Sequence, residues 1–295
     1  MVRYDKRTAQ RGEQYIEDRR RAGGSRGKVA GGIVGGGTIG VVIAIIVALM
    51  GGNGGSGFDI GSAGFDTGAG PVSQRVDDRG APVVDPQAET REYVAALMAD
   101  IQDTWAEYFD RAGLTYTETK LVLFTDAVQT GCGNATAGVG PFYCPAPGDN
   151  KVYIDLSFYD ELATRFQAPG DFAQAYVIAH EIGHHIQYLT GISDKVRQAQ
   201  QQDPGNANEY SVRMELQADC LAGVWGYSAN QRTTESGQPI LEAGDIDEGL
   251  RAAQAVGDDS IQAQAGMSIN PETWTHGSAE SRAKWFRQGF TSGDP

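Results

Sequence analysis

Basic residues are scarce in this sequence: 24 Lys and Arg face 38 Asp and Glu over 295 residues, a net charge of −14. A chain this acidic lacks the positive footprint that nucleic acid demands, so nucleic-acid binding is set aside. Cysteine is rarer still, at Cys132, Cys144 and Cys220 only. In an oxidising compartment Cys132 and Cys144 could close a short loop, leaving Cys220 as a small apolar residue buried on a helix. Histidine occurs four times, and three of the four (His180, His184, His185) fall within a turn and a half of predicted helix.

What is abundant is glycine, 40 residues with many before residue 70. The net charge also hides a split. Residues 1–28 carry nine Lys/Arg against four Asp/Glu, and the remainder carries fifteen against thirty-four. Between these parts, 29–50 is a run of 22 residues without a charge. At ~1.5 Å per helical residue it suffices for a bilayer core of ~30 Å. Its glycines are tolerated in membrane spans. A cleaved signal peptide is the rival reading, opposed by the length of the run, the long basic segment before it and the lack of a small-residue cleavage site. A buried core helix is a third, opposed by the glycine-rich flanks. Arg19, Arg20, Arg21, Arg26 and Lys28 before the span predict a cytoplasmic N-terminus and an extracytoplasmic body. Gly32, Gly36 and Gly40 at four-residue spacing would suit pairing of spans in a homo-oligomer.

The expected organisation is therefore a basic cytoplasmic tail (1–28), a transmembrane helix (29–50), a flexible Gly/Ser/Asp/Pro linker (51–88) and a folded domain (89–295). Within the domain, Val94, Leu97, Ile101, Trp105 and Phe109 trace a helical stripe over 92–112. Short apolar runs at 120–127 and 152–158 read as strands. Helices are predicted over 172–189, opened by Asp171 and stopped near Gly191, and over 207–227, with further helical segments at 246–256 and 278–287. This is an α+β class, helix-dominated with a small sheet.

The residues that carry chemistry lie in His180-Glu181-Ile182-Gly183-His184. Positions i and i+4 share a helix face, so both imidazoles can reach one ion at ~2.0–2.1 Å. Glu181 stands beside them, placed to act on a metal-bound water as general base and then as acid to the leaving amine. Gly183 costs a helix about 1 kcal/mol, which marks a close approach by helix or substrate. His185 lies ~100° around the helix from His184 and should pack rather than ligate. A catalytic zinc commonly takes three protein ligands. The third is best sought at Glu215, one turn before Asp219 on an otherwise apolar helix where unpaired acids would be costly. Asp219 would then accept a hydrogen bond from a ligating imidazole. Asp194, Asp203, Glu209 and His276 compete for the third place.

HExxH followed by a Glu-x-x-x-Asp helix resembles the gluzincin pattern of thermolysin-like peptidases. More closely, the chain resembles the bacterial neutral zinc metallopeptidase family. The matching strings are Glu17-Asp18-Arg19-Arg20, Thr130-Gly131-Cys132-Gly133, Gly140 to Pro145, the segment 152–156, His180 to Gln187, Glu215 to Cys220, Gly257-Asp258-Asp259 and Thr275-His276-Gly277-Ser278. The resemblance implies a zincin-like domain behind a single-span anchor, with zinc as cofactor; it implies no particular substrate, and it is the proposed hydrolytic chemistry that points to extracytoplasmic peptides or proteins. It suggests that Cys132 and Cys144 form a structural disulfide rather than a second zinc site, for which two cysteines are too few, and that the strand at 152–158 is either the edge along which substrate pairs or an ordinary sheet strand. It also offers His276 two roles, donor to a tetrahedral oxyanion or closure of the C-terminal turn. The function expected is a zinc endopeptidase acting outside the cytoplasm. The alternative is a catalytically silent, zinc-stabilised binding or scaffold domain tethered to the membrane.

Overall fold

A computed structural model describes residues 2–20 and 85–295. The predicted span at 29–50 and all but the end of the predicted linker lie outside the described residues. Among the described residues no helix is long and apolar enough to cross a membrane.

The N-terminal segment corrects the expected organisation. Residues 2–20 are not a separate tail but part of the domain. A short helix α1 (Lys6–Gly12) leads through a turn into strand β1 (Ile16–Asp18). Helix α2 (Ala88–Arg111) follows and buries Val94, Leu97, Met98, Ile101 and Trp105, the stripe read from the sequence plus its neighbours. α1 lies directly on α2: a Cβ at Gly12 would sit 1.7 Å from the carbonyl oxygen of Ala95. Only glycine permits that approach. Val2 and Tyr15 are buried in the same core as Val94 and Met98. Charge fixes the exterior of the joint, with Arg11 on Asp103 at 2.7 Å, Lys151 on Glu17 at 2.8 Å, and Arg91 on Glu13. α1 is seven residues long and polar. Isolated, it is far too short to persist in water, so packing rather than propensity makes it a helix.

Strands β2 (Lys120–Phe124), β3 (Ala127–Thr130), β4 (Gly133–Thr136), β5 (Phe142–Cys144) and β6 (Lys151–Asp155) follow. The main sheet runs β1-β2-β6-β5, with β1, β2 and β6 parallel and β5 antiparallel to β6. β3 and β4 form a separate hairpin. Strand alternation sorts the side chains. Leu121, Leu123, Val152, Ile154 and Tyr143 enter the main core, while Val122, Phe124, Tyr153, Phe142 and Cys144 form a second cluster on the opposite face. The expected edge strand at 152–158 is corrected on two counts. β6 lies inside the sheet, and it stops at Asp155 because that carboxylate accepts the backbone N–H groups of Ser157 (3.0 Å) and Asp126 (2.9 Å). The edges are β1 and β5, and β5 is tied to the β3–β4 turn by a disulfide between Cys144 and Cys132.

Helix α3 (Phe158–Thr164) leads to α4 (Asp171–Leu189), then α5 (Ile192–Gln202), α6 (Ala207–Asn230), α7 (Asp245–Ala255), α8 (Asp258–Gln264) and α9 (Ala279–Ser292). α4 is the central element, buried on nearly every side as its apolar composition demands. Glu248 of α7 accepts the Phe172 N–H at its first turn (3.1 Å), and Gly191 ends it in the left-handed region at φ 71°. α6 and α9 cross so closely that a Cβ at Gly289 would lie 1.9 Å from the Cys220 carbonyl oxygen. The fold is helix-dominated α+β.

Candidate metal centre and its cleft

α4 supplies His180 and His184 one turn apart, with ring centroids 4.8 Å apart and planes at 89°. α6 crosses it where Gly183 lies against Ala218; a Cβ at Gly183 would stand 3.0 Å from the Ala218 carbonyl oxygen. The glycine read from sequence as a close approach serves this helix crossing. It brings Glu215 onto the two rings, Oε2 at 3.1 Å from His180 Nε2 and Oε1 at 3.4 Å from His184 Nε2. One donor atom from each residue lies within 4.8 Å of the others. Ligands ~2.0–2.1 Å from a tetrahedral ion stand ~3.3 Å from one another, so this spacing fits a single such ion.

The charges around these donors also fit a cation. Burial alone would lower the pKa of His180, but Asp219 and Glu215 outweigh it and raise the group to about 9. Burial would raise Glu215, yet His184 and His180 hold it well below the usual carboxylate range. Without metal, a proton on His180 occupies a place built for positive charge. Asp219 is fully buried, with Oδ1 2.9 Å from His180 Nδ1. It fixes the ring so that Nε2 faces Glu215. The carboxylate also accepts from Tyr176 Oη (2.5 Å) and from Arg282, by Nε at 2.9 Å and a terminal nitrogen at 3.0 Å. Burial opposes ionisation of Asp219; Arg282 and His180 prevail and lower its pKa. His184 has its own orienting partner: Nδ1 lies 2.9 Å from Gln187 Oε1, while the Gln187 amide donates to the Met214 carbonyl (2.7 Å) and to Gln217 Oε1 (3.0 Å).

Residues 5–295 match the family described as “putative neutral zinc metallopeptidase”. The chain belongs to this family. Among its relatives is the uncharacterized protein YpfJ of Escherichia coli K12, 44% identical over 281 residues, which cover 95% of this chain and 93% of that one. The uncharacterized proteins Mb2605 of Mycobacterium bovis and Rv2575 of Mycobacterium tuberculosis strain H37Rv are each 50% identical over 185 residues, covering 61% of this chain and 61% of each relative. No solved structure matches. Zinc is the cofactor of this neutral zinc metallopeptidase family, and the buried His180, His184 and Glu215 group is positioned to hold it.

Further polar and apolar residues surround these donors. Glu181 is 8% exposed and borders the same cleft; burial pushes its pKa up, against the lowering effect of His184 and His180. The cleft has a volume of about 410 Å3 and is walled by apolar side chains, among them Phe158, Phe166, Val177, Met214 and Ile261. Gly140, Pro141 and β5 residues Phe142 and Tyr143 also line it. His276 lines it from the C-terminal side. Its turn is organised by Asp258, whose Oδ2 accepts the backbone N–H groups of Thr275, His276 and Gly277 at 2.7–2.9 Å and whose Oδ1 lies 3.2 Å from His276 Nδ1.

The other histidine and acids lie elsewhere. His185 faces the sheet, with Nδ1 2.9 Å from the Tyr143 hydroxyl and Nε2 2.6 Å from the Thr117 carbonyl. Asp194 pairs with Arg197, Asp203 accepts from Asn206, and Glu209 pairs with Arg213. None of these acids joins the two imidazoles. The sequence reading missed Arg282, Tyr176 and Gln187 as working residues. For Arg282 a signal existed: it falls on the buried stripe of α9 with Ala283, Phe286 and Gly289, where an unpaired cation would be costly.

Proposed function

We propose that this protein is a zinc-dependent endopeptidase whose general base is Glu181. The observation that carries the reading is a three-residue donor set, His180, His184 and Glu215, opening on a cleft that also holds Glu181. Three protein ligands leave a coordination position for water or substrate, whereas a purely structural site closes with four. That weighs against a silent scaffold. Zinc, when bound, supplies a Lewis acid that polarises a scissile carbonyl and acidifies water. Glu181 takes the proton from the attacking water and returns it to the leaving amine nitrogen. Its raised pKa, a consequence of burial, suits both transfers. Asp219 holds His180 in the ligating tautomer and Gln187 does the same for His184. His276, held at Nδ1 by the Asp258 carboxylate, would donate from Nε2 to the developing oxyanion in its imidazolium form.

Substrate binding follows from the walls. The antiparallel edge strand β5 offers backbone groups to an extended peptide, and the apolar walls favour peptides with bulky apolar side chains near the scissile bond. The Cys132–Cys144 disulfide supports a domain that works outside the cytoplasm. The test uses the full chain, since residues 2–20 belong to the domain. Glu181→Gln is expected to retain zinc by metal analysis and to lose peptide hydrolysis by at least ~100-fold. Equal hydrolysis by both proteins would remove Glu181 from the mechanism.

A further inference from the structure

We infer that residues 2–20 and 85–295 lie on the same side of any membrane this protein meets. Four described features join the two parts. β1 is hydrogen-bonded in parallel to β2, with Ile16, Glu17 and Asp18 opposite Leu121, Val122 and Leu123. The Arg19 N–H continues that pairing to the Leu123 carbonyl at 2.8 Å. Gly12 meets the backbone of α2 at Ala95 without room for a methyl group. Arg20 holds Asp18 and Asp85 at 2.7 Å each, so the residues that flank 21–84 meet in one ion-pair cluster.

Paired strands stand ~4.8 Å apart, and a hydrocarbon core is ~30 Å thick. No bilayer fits between β1 and β2. The charge argument for a cytoplasmic N-terminus weakens for the same reason. Of the five basic residues before the run, Arg19 is held by Glu17 at 2.6 Å, and Arg20 by Asp18 and Asp85 with its side chain only 7% exposed. Those two charges serve the fold and are not free to set orientation.

The test places single cysteines in the full chain at Gln10→Cys on α1 and, separately, Gln288→Cys on α9, both exposed positions. Native background is low because Cys220 is buried and Cys132 and Cys144 are bonded to each other. Spheroplasts are treated with a membrane-impermeant maleimide before and after permeabilisation, with the wild type subtracted. Both reporters are expected to label under the same condition, whichever it is. Labelling of one before permeabilisation and of the other only after it would overturn the inference. A second measurement is independent of labelling: Gly12→Val is expected to lower the Tm of the purified full chain by at least about 4 °C through overpacking against Ala95. An unchanged Tm would remove the joint on which the inference stands.

Discussion

Replacing Arg282 by Met tests the most buried part of the site. The guanidinium is 3% exposed and its partner Asp219 is 0% exposed. Methionine keeps most of the aliphatic packing, so the perturbation is chiefly electrostatic. It removes two charge-assisted bonds, at 2.9 and 3.0 Å, and leaves Asp219 with the Tyr176 hydroxyl and His180. Stranding one member of a buried ion pair costs ~3–5 kcal/mol. The two remaining partners place the expectation at the lower end, about 3 kcal/mol. In a body of this size each kcal/mol moves Tm by ~2–4 °C, so the metal-free Arg282→Met protein should melt ~6–12 °C below wild type in calorimetry. The double variant Arg282→Met/Asp219→Asn removes the stranded charge and should recover at least half of the loss. The reasoning is refuted if Arg282→Met melts within a degree of wild type, or if adding Asp219→Asn deepens the loss.

Three further outcomes follow from the same geometry. His180 is raised from about 6.5 to about 9 in the metal-free fold, so its stabilising contribution is complete below pH ~6.5 and lost as pH rises through about 9. Melts of metal-free protein should show that loss and zinc-loaded melts should not; identical profiles would mean that no such proton is displaced. Gln187→Leu removes the acceptor that orients His184 and should weaken zinc binding ~10–100-fold in a chelator competition, as disturbance of an outer partner does; unchanged affinity would assign Gln187 to packing alone. Gly183→Val places side-chain atoms against Ala218, 3.0 Å from the nearest backbone oxygen already at Cβ. Overpacking of ~1–3 kcal/mol exceeds the helix-propensity gain of under ~1 kcal/mol, so both Tm and zinc affinity should fall, and a rise in either would contradict the crossing.

The legible part of the site was local. His180 and His184 share a helix face because of one helical repeat, and that spacing is written in the sequence. Glu215 and Asp219 were legible for a second reason: acids on an apolar helix require partners. The α2, α4 and α6 helices came through with ends shifted by a few residues because their periodic stripes are long. What sequence did not show was pairing over distance. α1 and β1 are too short and polar to betray a core position, and their ion pairs with residues of α2 and β6 exist only after folding. β5 gave no strand signal because three residues carry no period. The partner of Arg282 was hidden for a related reason: Asp219 is 63 positions away, and only the crossing of α9 on α6 joins them.

The parallel pairing of β1 with β2 also bears on how the chain is made. β1 leaves the ribosome before β2 and has no partner until residue 124 has been synthesised and has emerged. Until then Ile16 and Tyr15 have no core to enter, and β2 presents an open sheet edge from the moment it appears. Non-local parallel pairing of this kind is slow because closure entropy must be met before the contact stabilises anything. The interval between emergence and docking is therefore the stage at which the nascent chain is most exposed to chaperones and to aggregation.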